Sequence, residues 1–320
     1  MSDANVPKLV DGLKKGDRRA VARLISLVED GASEASEAIR EVYPLTGHAS
    51  TIGITGAPGA GKSSLIDGLT KHARDDDLSV GVIACDPTSP FSGGALLGDR
   101  VRMQQHALDE KVFIRSMATR GHLGGLALAA PEAMRVLEAA GSQVVIVETV
   151  GVGQSEVEIA KQADTTIVVL APGMGDAIQA AKAGILEIAD IFCVNKGDKS
   201  GANETARDVR GMLEVGHGRD PEWDTPIIIT SATELTGVEE LWAAVRKHEA
   251  FLRENGRLEV RRRERFAAEI REIVGERLKA ALERAAGTDV LERMTDEVVE
   301  RRLDPYSAAA KLLADFGIEA

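Results

Sequence analysis

The chain has 320 residues and a formal net charge of −12, and this length is sufficient for one large α/β domain with helical additions. Proteins that bind nucleic acid or acidic membranes generally carry a basic surface, so the acidic composition predicts no binding of either kind. We recognise neither a signal peptide nor an apolar run long enough to span a bilayer, and we therefore predict a cytoplasmic protein.

The first 47 residues predict an N-terminal helical arm. Apolar residues recur at helical spacing from Val6 to Val28. Gly31 and Ser33 then indicate a break, and Glu34–Val42 predicts a second helix. Because the arm contains no candidate catalytic or binding residue, we expect it to pack against the main domain.

From residue 50 onwards, apolar strand-like runs alternate with helical patterns. The predicted strands are residues 51–55, 79–84, 111–115, 143–147, 165–170, 191–194 and 226–229. The predicted helices are residues 62–74, 98–108, 124–140, 155–162, 176–187, 203–214 and 238–252. Fully apolar runs such as Val144–Val147 indicate strands covered on both faces, which predicts an α/β fold with a mainly parallel sheet between two layers of helices. Ligands of such sheets bind at the carboxyl ends of the strands.

The first motif follows the first predicted strand, where residues 56–63 match the phosphate-binding pattern G-x-x-x-x-G-K-[ST]. Its glycines allow turns that a β-carbon would obstruct, so that backbone N–H groups can converge on phosphate oxygens. Lys62 can reach the β- and γ-phosphates, and the Ser63 hydroxyl can bind Mg²⁺. We therefore predict a P-loop NTPase fold. The predicted nucleotide-binding residues of the loop are Gly56, Ala57, Pro58, Gly59, Ala60, Gly61, Lys62, Ser63 and Ser64.

Charged residues follow the second and third predicted strands. Asp86 leaves its strand beside the expected P-loop, where a carboxylate can hold Mg²⁺-bound water or orient the attacking water. An aspartate that initiates a turn is the alternative interpretation. A glycine-rich run then returns Asp99 to the same edge of the sheet. Arg120 could contact phosphate, and a solvated loop charge is an equally good interpretation.

The fourth predicted strand ends in Glu148, and four apolar residues followed by an acid make a Walker B pattern. Glu148 can accept a hydrogen bond from Mg²⁺-bound water. Gly151 stands three residues later, where its N–H could sense a γ-phosphate. Together with the P-loop, this pattern predicts nucleotide hydrolysis.

Asn195, Lys196 and Asp198 follow the sixth predicted strand and form the pattern N-K-x-D. The carboxylate of Asp198 can accept hydrogen bonds from guanine N1–H and the 2-amino group, which adenine lacks. Ser231 and Ala232, after the next strand, resemble the element that supports guanine O6 from the backbone. The order of these motifs predicts a GTPase that uses GTP, GDP and Mg²⁺.

The C-terminal region has a composition of its own. Apolar residues recur at helical spacing from Phe266 to Leu282, and Asp304-Pro305 predicts a helix start. Dimerisation through this apolar face is a reasonable expectation, with packing on the same subunit as the alternative. We predict an arm at 1–47, a GTPase domain at 48–252 and a helical dimerisation region at 253–320.

Taken together, these motifs resemble the MeaB/ArgK-type GTPases, which are chaperones of adenosylcobalamin-dependent acyl-CoA mutases such as methylmalonyl-CoA mutase. The segments that carry the resemblance are Gly56–Ser63, Asp86–Ser89, Leu97–Met103, Arg120–Gly125, Glu148–Glu156, Ala171–Asp176, Asn195–Asp198 and Asp304–Ala308. The resemblance implies a homodimeric GTPase with slow hydrolysis that the mutase stimulates. It also implies gating of cofactor loading and protection of the mutase from inactivation.

The resemblance also implies roles for single residues. The family's phosphate and magnesium positions fall on Lys62, Ser63, Asp86, Asp99 and Glu148, and its guanine site falls on Asn195, Lys196 and Asp198. A third switch that communicates with the mutase matches residues 173–184, with Gly173, Gly175, Asp176 and Gln179 as the candidate residues. Gly197 stands where many members carry alanine, and we expect this departure to matter little because that side chain points away from the base.

Two other functions stay open. A metallochaperone of the hydrogenase or urease maturation type would need Cys/His clusters near the switches. Cys85 and Cys193 are instead isolated in apolar runs, which is typical of buried thiols in a reducing compartment, and His122 has no neighbouring ligand in the sequence. A kinase of the arginine/ornithine transport type would need an acceptor-substrate motif, and we recognise none.

Overall fold

The computed structural model describes residues 5–86, 106, 108–118, 123–149, 162–173, 188–215 and 222–315. Side chains at 86, 118, 123–128, 215, 282–289 and 315 lie outside this description. The chain divides into two units, Met1–Glu259 and Val260–Ala320. The expected boundaries at residues 47 and 252 stay predictions.

A seven-stranded parallel sheet forms the centre of the first unit, with the strand order β3-β2-β4-β1-β5-β6-β7. The strands are β1 (Ser50–Gly56), β2 (Val80–Asp86), β3 (Val112–Ala118), β4 (Val144–Glu148), β5 (Thr165–Leu170), β6 (Ile191–Val194) and β7 (Ile227–Ile229). All seven predicted strands are present, and the parallel pairing confirms the predicted sheet. β2 and β3 each run past their predicted ends, so that Asp86 is the last residue of its strand.

Helices flank this sheet and continue to the end of the described chain. They are α1 (Val6–Lys14), α2 (Arg18–Glu29), α3 (Ala35–Val42), α4 (Lys62–Asp75), α5 (Leu123–Ala139), α6 (Ala202–Val215), α7 (Val238–Glu254), α8 (Arg257–Val299) and α9 (Pro305–Asp315). The helices predicted at 98–108, 155–162 and 176–187 lie almost wholly outside the described residues. No helix in the described ranges is sufficiently long and apolar to cross a membrane.

Alternate residues of the strands enter two different cores, as the period of two in a strand requires. In β4, Val145 and Val147 pack in one cluster with α1–α3 and α5. Val144 and Ile146 pack in the other cluster with α4 and α7. The sheet is therefore covered on both faces, which explains why its strands are mostly apolar and confirms the predicted fold class.

The N-terminal arm contains one more helix than its apolar pattern predicts. The pattern predicts a single helix before Gly31, whereas the structure divides that segment between Lys14 and Arg18. Gly16 adopts a φ of +79°, and the Asp17 side chain accepts a hydrogen bond at 2.9 Å from the N–H of Arg19. This N-cap starts α2. The apolar residues keep helical spacing on both sides of Gly16, so the sequence pattern does not reveal the break.

The arm is attached to the rest of the first unit by polar bonds as well as by its apolar face. One buried oxygen, Oε1 of Glu138 in α5, accepts hydrogen bonds from the N–H groups of Gly47, His48 and Ala49 at 2.7, 2.6 and 2.6 Å. Arg115 of β3 forms an ion pair at 2.8 Å with Glu29 of α2. The arm thus packs against the main domain, as expected.

In the second unit, Asp304 starts α9 as predicted. Its Oδ1 accepts hydrogen bonds from the N–H groups of Tyr306 and Ser307 at 2.9 and 3.0 Å. The hydrogen bond from the Ser307 hydroxyl lowers the pKa of this carboxyl, because it stabilises the ionised form. Pro305 occupies the first helical position, where its missing N–H costs nothing.

Candidate functional site

The predicted phosphate loop lies at the carboxyl edge of the sheet, between β1 and α4. Gly56 has a φ of +151°, and a Cβ there would lie 2.2 Å from the carbonyl oxygen of Val169. Gly61 has a φ of +95°, and a Cβ there would lie 2.2 Å from Nδ2 of Asn195. Only glycine fits these two positions. The tip of the loop, Pro58-Gly59, is exposed, and the rest of the loop is held by its neighbours.

Lys62 is buried at the start of α4. Its ammonium donates hydrogen bonds to the carbonyl oxygens of Gly56 at 2.8 Å and Ala57 at 3.3 Å. A buried charge needs such polar partners, because transfer out of water is costly. These bonds hold the ammonium against the loop, where phosphate oxygens would bind.

Ser63 and Glu148 meet across the gap between α4 and β4. The Ser63 hydroxyl donates a 2.9 Å hydrogen bond to Oε1 of Glu148, and both side chains are buried. The register of the sheet causes this contact, because Glu148 is paired with Ile54 of β1, directly ahead of the loop. A hydroxyl and a carboxylate are the oxygen ligands that Mg²⁺ prefers, so this donor set fits that cation.

The other predicted acidic residues are described only in part. Ala84 pairs with Glu148 across β2 and β4, so the backbone of Asp86 lies at the same carboxyl edge. The Asp86 side chain lies outside the described residues, as do Asp99, Arg120, His122 and Gly151 entirely. Their predicted contacts with phosphate, Mg²⁺ or water stay predictions.

Asn195 joins the two halves of the predicted site. It is 2% exposed, and its Nδ2 donates a 2.8 Å hydrogen bond to the carbonyl oxygen of Ala60 in the phosphate loop. Its Oδ1 accepts hydrogen bonds at 3.1 Å from the Thr230 hydroxyl and from the N–H of Ala232. One amide therefore fixes the phosphate loop, the N-K-x-D segment and the Ser231-Ala232 element relative to one another.

Lys196 and Asp198 lie at the solvent side of Asn195. Lys196 has a φ of +60°, an unusual backbone conformation for a residue with a side chain and one that concentrates at functional sites. Asp198 is exposed, and its Oδ1 accepts a 3.0 Å hydrogen bond from the Ser231 hydroxyl. This bond orients the carboxylate without burying it, as a group that must accept from a base requires.

The backbone of the Ser231-Ala232 element already has partners within the protein. The Ser231 N–H donates to the Thr236 carbonyl at 3.0 Å, and the Ala232 N–H donates to Asn195. Support of guanine O6 by this element stays a prediction.

Gly197 is more tightly packed than we expected. A Cβ at Gly197 would lie 2.7 Å from Cγ2 of Ile229 and 3.2 Å from the carbonyl oxygen of Thr230. The Gly197 N–H donates a 2.8 Å hydrogen bond to that same oxygen. An alanine here would require Ile229 or its strand to move slightly, and the expectation that this departure matters little stays a prediction.

Thr230 is a site residue that the sequence interpretation missed. Its hydroxyl donates to Asn195 and lies 3.2 Å from Sγ of Cys193. Burial raises the pKa of the Cys193 thiol to about 12, so the thiol remains protonated and can donate to Thr230. The sequence signal that could have identified Thr230 is its position directly before Ser231-Ala232.

The two cysteines cannot share a ligand site, since Cys85 and Cys193 lie in clusters on opposite faces of the sheet. The candidate switch residue Gly173 follows β5 with a φ of +80° and is exposed. The other candidates of that segment, Gly175, Asp176 and Gln179, lie outside the described residues.

Comparisons with known proteins agree with this geometry. The family model described as methylmalonyl-CoA mutase-associated GTPase MeaB matches residues 21–287. A protein of Pyrococcus abyssi that is named a GTPase is 51% identical over 312 residues, which are 97% of this chain and 96% of that protein. The mitochondrial methylmalonic aciduria type A homolog of Caenorhabditis elegans is 31% identical over 333 residues, with 98% and 84% of the two chains covered. The crystal structure of a LAO/AO transport system kinase superposes with a TM-score of 0.76 at 27% identity and covers 99% of both chains.

Proposed function

This chain belongs to the family of methylmalonyl-CoA mutase-associated GTPases, MeaB, and from that membership we propose that it is a GTP-hydrolysing chaperone of an adenosylcobalamin-dependent acyl-CoA mutase. In this proposal it gates loading of the cofactor and protects or reactivates the mutase. The observation that supports nucleotide binding is the pair of hydrogen bonds made by the Asn195 amide. They connect the phosphate loop with the elements that we propose bind the base. A relative named for methylmalonic aciduria supports the mutase as client.

Hydrolysis of GTP breaks the bond between the γ-phosphorus and the bridging oxygen, with water as the nucleophile. The protein's contribution is positioning and electrostatic stabilisation. Backbone N–H groups of the loop and the start of α4 would receive the phosphates. Lys62 would exchange its contacts with Gly56 and Ala57 for phosphate oxygens, which carry more negative charge than carbonyls do.

When bound, Mg²⁺ supplies positive charge that neutralises the β- and γ-phosphate oxygens. Ser63 would hold it directly, and Glu148 would hold it through water, since hydroxyl and carboxylate already lie side by side. On the basis of the family resemblance, we propose that Asp86 and Asp99 also hold Mg²⁺. Orientation of the attacking water would come from one of these carboxylates.

We also propose that the chain forms a homodimer through its C-terminal unit. Ile270 and Val274 are one helical turn apart on α8, and 61% and 58% of their surfaces are exposed. Exposed apolar surface of this kind supports an interface there. Light scattering of the intact chain should give twice the 34.0 kDa subunit mass. Replacing both residues with aspartate should halve that mass, while Arg271→Ala beside them should not.

The central test measures GTP turnover with and without methylmalonyl-CoA mutase. We expect the mutase to stimulate release of inorganic phosphate. Absence of stimulation by this mutase and by related acyl-CoA mutases would refute the chaperone proposal. Transfer of the γ-phosphate to a protein acceptor, in place of its release, would favour a kinase, which is the activity for which the superposed LAO/AO transport system protein is named.

A paired measurement tests the proposed switch. We expect Asp176→Ala or Gln179→Ala to leave GDP affinity nearly unchanged and to weaken stimulation by the mutase, because γ-phosphate contacts order such segments and hydrolysis releases them. Asp208→Ala, which removes the same charge from an exposed position on α6, is the matched control. A variant that loses GDP binding but keeps full stimulation would reverse the assignment and make the segment an ordinary nucleotide-site loop.

A further inference from the structure

Two buried threonines join the phosphate loop to the end of β4. Thr149 directly follows Glu148, and its hydroxyl donates a 3.0 Å hydrogen bond to the hydroxyl of Thr55. Its backbone N–H donates a second bond, also of 3.0 Å, to the carbonyl oxygen of Ile54. Both threonine side chains are completely buried. The chain leaving β4 is thus tied to β1 through backbone and side chain at one point.

The position of this contact makes it relevant to the nucleotide site. Thr55 immediately precedes Gly56, the first residue of the phosphate loop, so it fixes the strand that enters the loop. Glu148, the neighbour of Thr149, accepts a hydrogen bond from Ser63 in the helix that leaves the loop. The pair Glu148-Thr149 therefore contacts both ends of the loop, the incoming strand and the outgoing helix.

We infer that Thr55 and Thr149 are positioning residues for GTP hydrolysis, an inference that rests on the GTPase activity in the proposed function. Because both side chains are completely buried, we assign them no contact with the nucleotide. Their hydroxyl bond sets the direction of the Glu148 carboxylate relative to Ser63 and to the phosphate loop. The bond lies directly after β4, two residues before Gly151 in the sequence.

The physical reason is directionality. Phosphoryl transfer gains its rate from groups held in place, and displacements of about 1 Å can cost a hundredfold in rate. A valine fills the same volume as a threonine but imposes no direction on its neighbour. Binding of GDP depends on the loop N–H groups and on Asp198, which this contact does not include. The turnover number should therefore suffer far more than nucleotide affinity.

The experiment compares Thr55→Val, Thr149→Val and the double variant in the full-length protein. Each protein is measured for kcat and KM in GTP hydrolysis, for GDP affinity by calorimetry and for thermal midpoint. Thr149→Ser keeps the hydroxyl and is the conservative rescue. Thr51→Val is the matched control, because Thr51 lies on the same face of β1 at the opposite end and its hydroxyl accepts a 2.8 Å hydrogen bond from the N–H of Asp164.

We expect each single valine variant to lower kcat between about 10-fold and 100-fold, with KM and GDP affinity changed less than about threefold. Thr149→Ser should retain most of the turnover. The double variant removes both hydroxyls of the bond at once, so neither is left facing a methyl group. Its kcat should stay as low as that of the single variants. Thr51→Val should lower the thermal midpoint and leave kcat unchanged.

Two results would overturn the inference. A double variant with wild-type kcat would mean that the hydroxyl pair serves packing alone, and so would a Thr51→Val protein that loses as much turnover as the Thr149 variants. A wild-type protein that binds GDP without hydrolysing GTP would instead refute the proposed activity, and the inference with it. Wild-type turnover with unaffected valine variants refutes the inference alone.

Discussion

The two edges of the sheet both carry buried polar side chains, but they use them differently. At the amino edge, His248 of α7 is 1% exposed, with Nδ1 2.9 Å from the Thr165 hydroxyl and Nε2 3.3 Å from Oδ1 of Asp190. The Trp223 indole N–H donates a 2.8 Å hydrogen bond to the Asp190 carbonyl and closes the cluster. Threonine, histidine and aspartate here have the composition of a hydrolase triad, yet the cluster offers a substrate no surface.

At the carboxyl edge, the polar side chains bond mainly to loop backbone. Lys62 holds the carbonyls of Gly56 and Ala57, and Asn195 holds that of Ala60. Gly56, Gly59 and Gly61 of the loop, and Lys196 beside it, adopt positive φ values. Buried titratable groups therefore do not by themselves identify a site. A site is recognised where side chains hold strained loops around a space that a ligand would complete.

The strongest test of this contrast is Glu148→Gln at the carboxyl edge. The amide has the same size and can still accept from Ser63, but it lacks the charge that we propose holds Mg²⁺-bound water. We expect kcat for GTP to fall by a factor of about 10²–10³, as when one preorganised electrostatic group is lost. Single-turnover phosphate release measures this, with the thermal midpoint as control. Normal turnover in the glutamine variant would remove Glu148 from the reaction.

The next test is Asp198→Asn, which addresses base recognition. In the proposed site the carboxylate would accept from two donors of guanine, and hydrogen bonds to a charged partner contribute about 1.5–3 kcal/mol each. We expect GDP affinity to fall by a factor of about 10²–10³ and xanthosine diphosphate to become the better ligand, because xanthine presents an acceptor where guanine has its amino group. Competition calorimetry with GDP, ADP and xanthosine diphosphate would measure this. Equal wild-type affinity for ADP and GDP would contradict the assignment.

At the amino edge, His248→Ala tests the opposite expectation. The variant loses the hydrogen bond with Thr165 and the 3.3 Å contact with Asp190. It also leaves a cavity beside the Trp223 ring, whose centroid lies 4.7 Å from that of the imidazole. We expect a loss of about 2–4 kcal/mol in the free energy of unfolding. Turnover and GDP affinity should be unchanged at temperatures where the variant is folded. Thr165→Ser keeps the hydroxyl partner and should cost much less. A fall in kcat for folded His248→Ala would show that the two edges are coupled.

The sequence predicted the carboxyl edge far better than the amino edge, and the physical reason is locality. Residues 56–63 are contiguous, so one short pattern identifies the loop even though Asn195 and Glu148 also hold it. His248 lies 83 positions after Thr165, and only the packing of α7 on β5 brings them together. The same reason explains why Thr230 was missed, since its contact with Asn195 crosses from β6 to the end of β7.

The sequence interpretation missed smaller features of the fold where the local pattern was ambiguous. Helical spacing continued across Gly16-Asp17, so the break between α1 and α2 carried no periodic signal. The seven strands were predicted because helices cover both faces of the sheet and the strands are consequently rich in apolar residues. Their ends were less accurate, since Asp86 continues β2 as a polar residue.

Gly197→Ala should change the protein least, and it tests how tightly the base-reading loop is packed. The new methyl group would meet Cγ2 of Ile229 at 2.7 Å, and overpacking of this kind costs about 1–3 kcal/mol. We expect a value at the lower end, because Ile229 is only partly buried and β7 can move. Affinity for GDP should change less than about tenfold, or 1.4 kcal/mol.

A double-mutant cycle with Ile229→Ala isolates this contact. Removing Cγ2 eliminates the clash, so Gly197→Ala should cost almost nothing in the Ile229→Ala background, and urea unfolding should give a favourable coupling free energy of about 1 kcal/mol. Ile228→Ala is the matched control, since it truncates the neighbouring residue of the same strand. If the two changes were additive, the strain would come from the Thr230 carbonyl at 3.2 Å instead. Because Thr230 also holds Asn195, that outcome predicts a larger loss of GDP affinity than of stability, which the same calorimetry would detect.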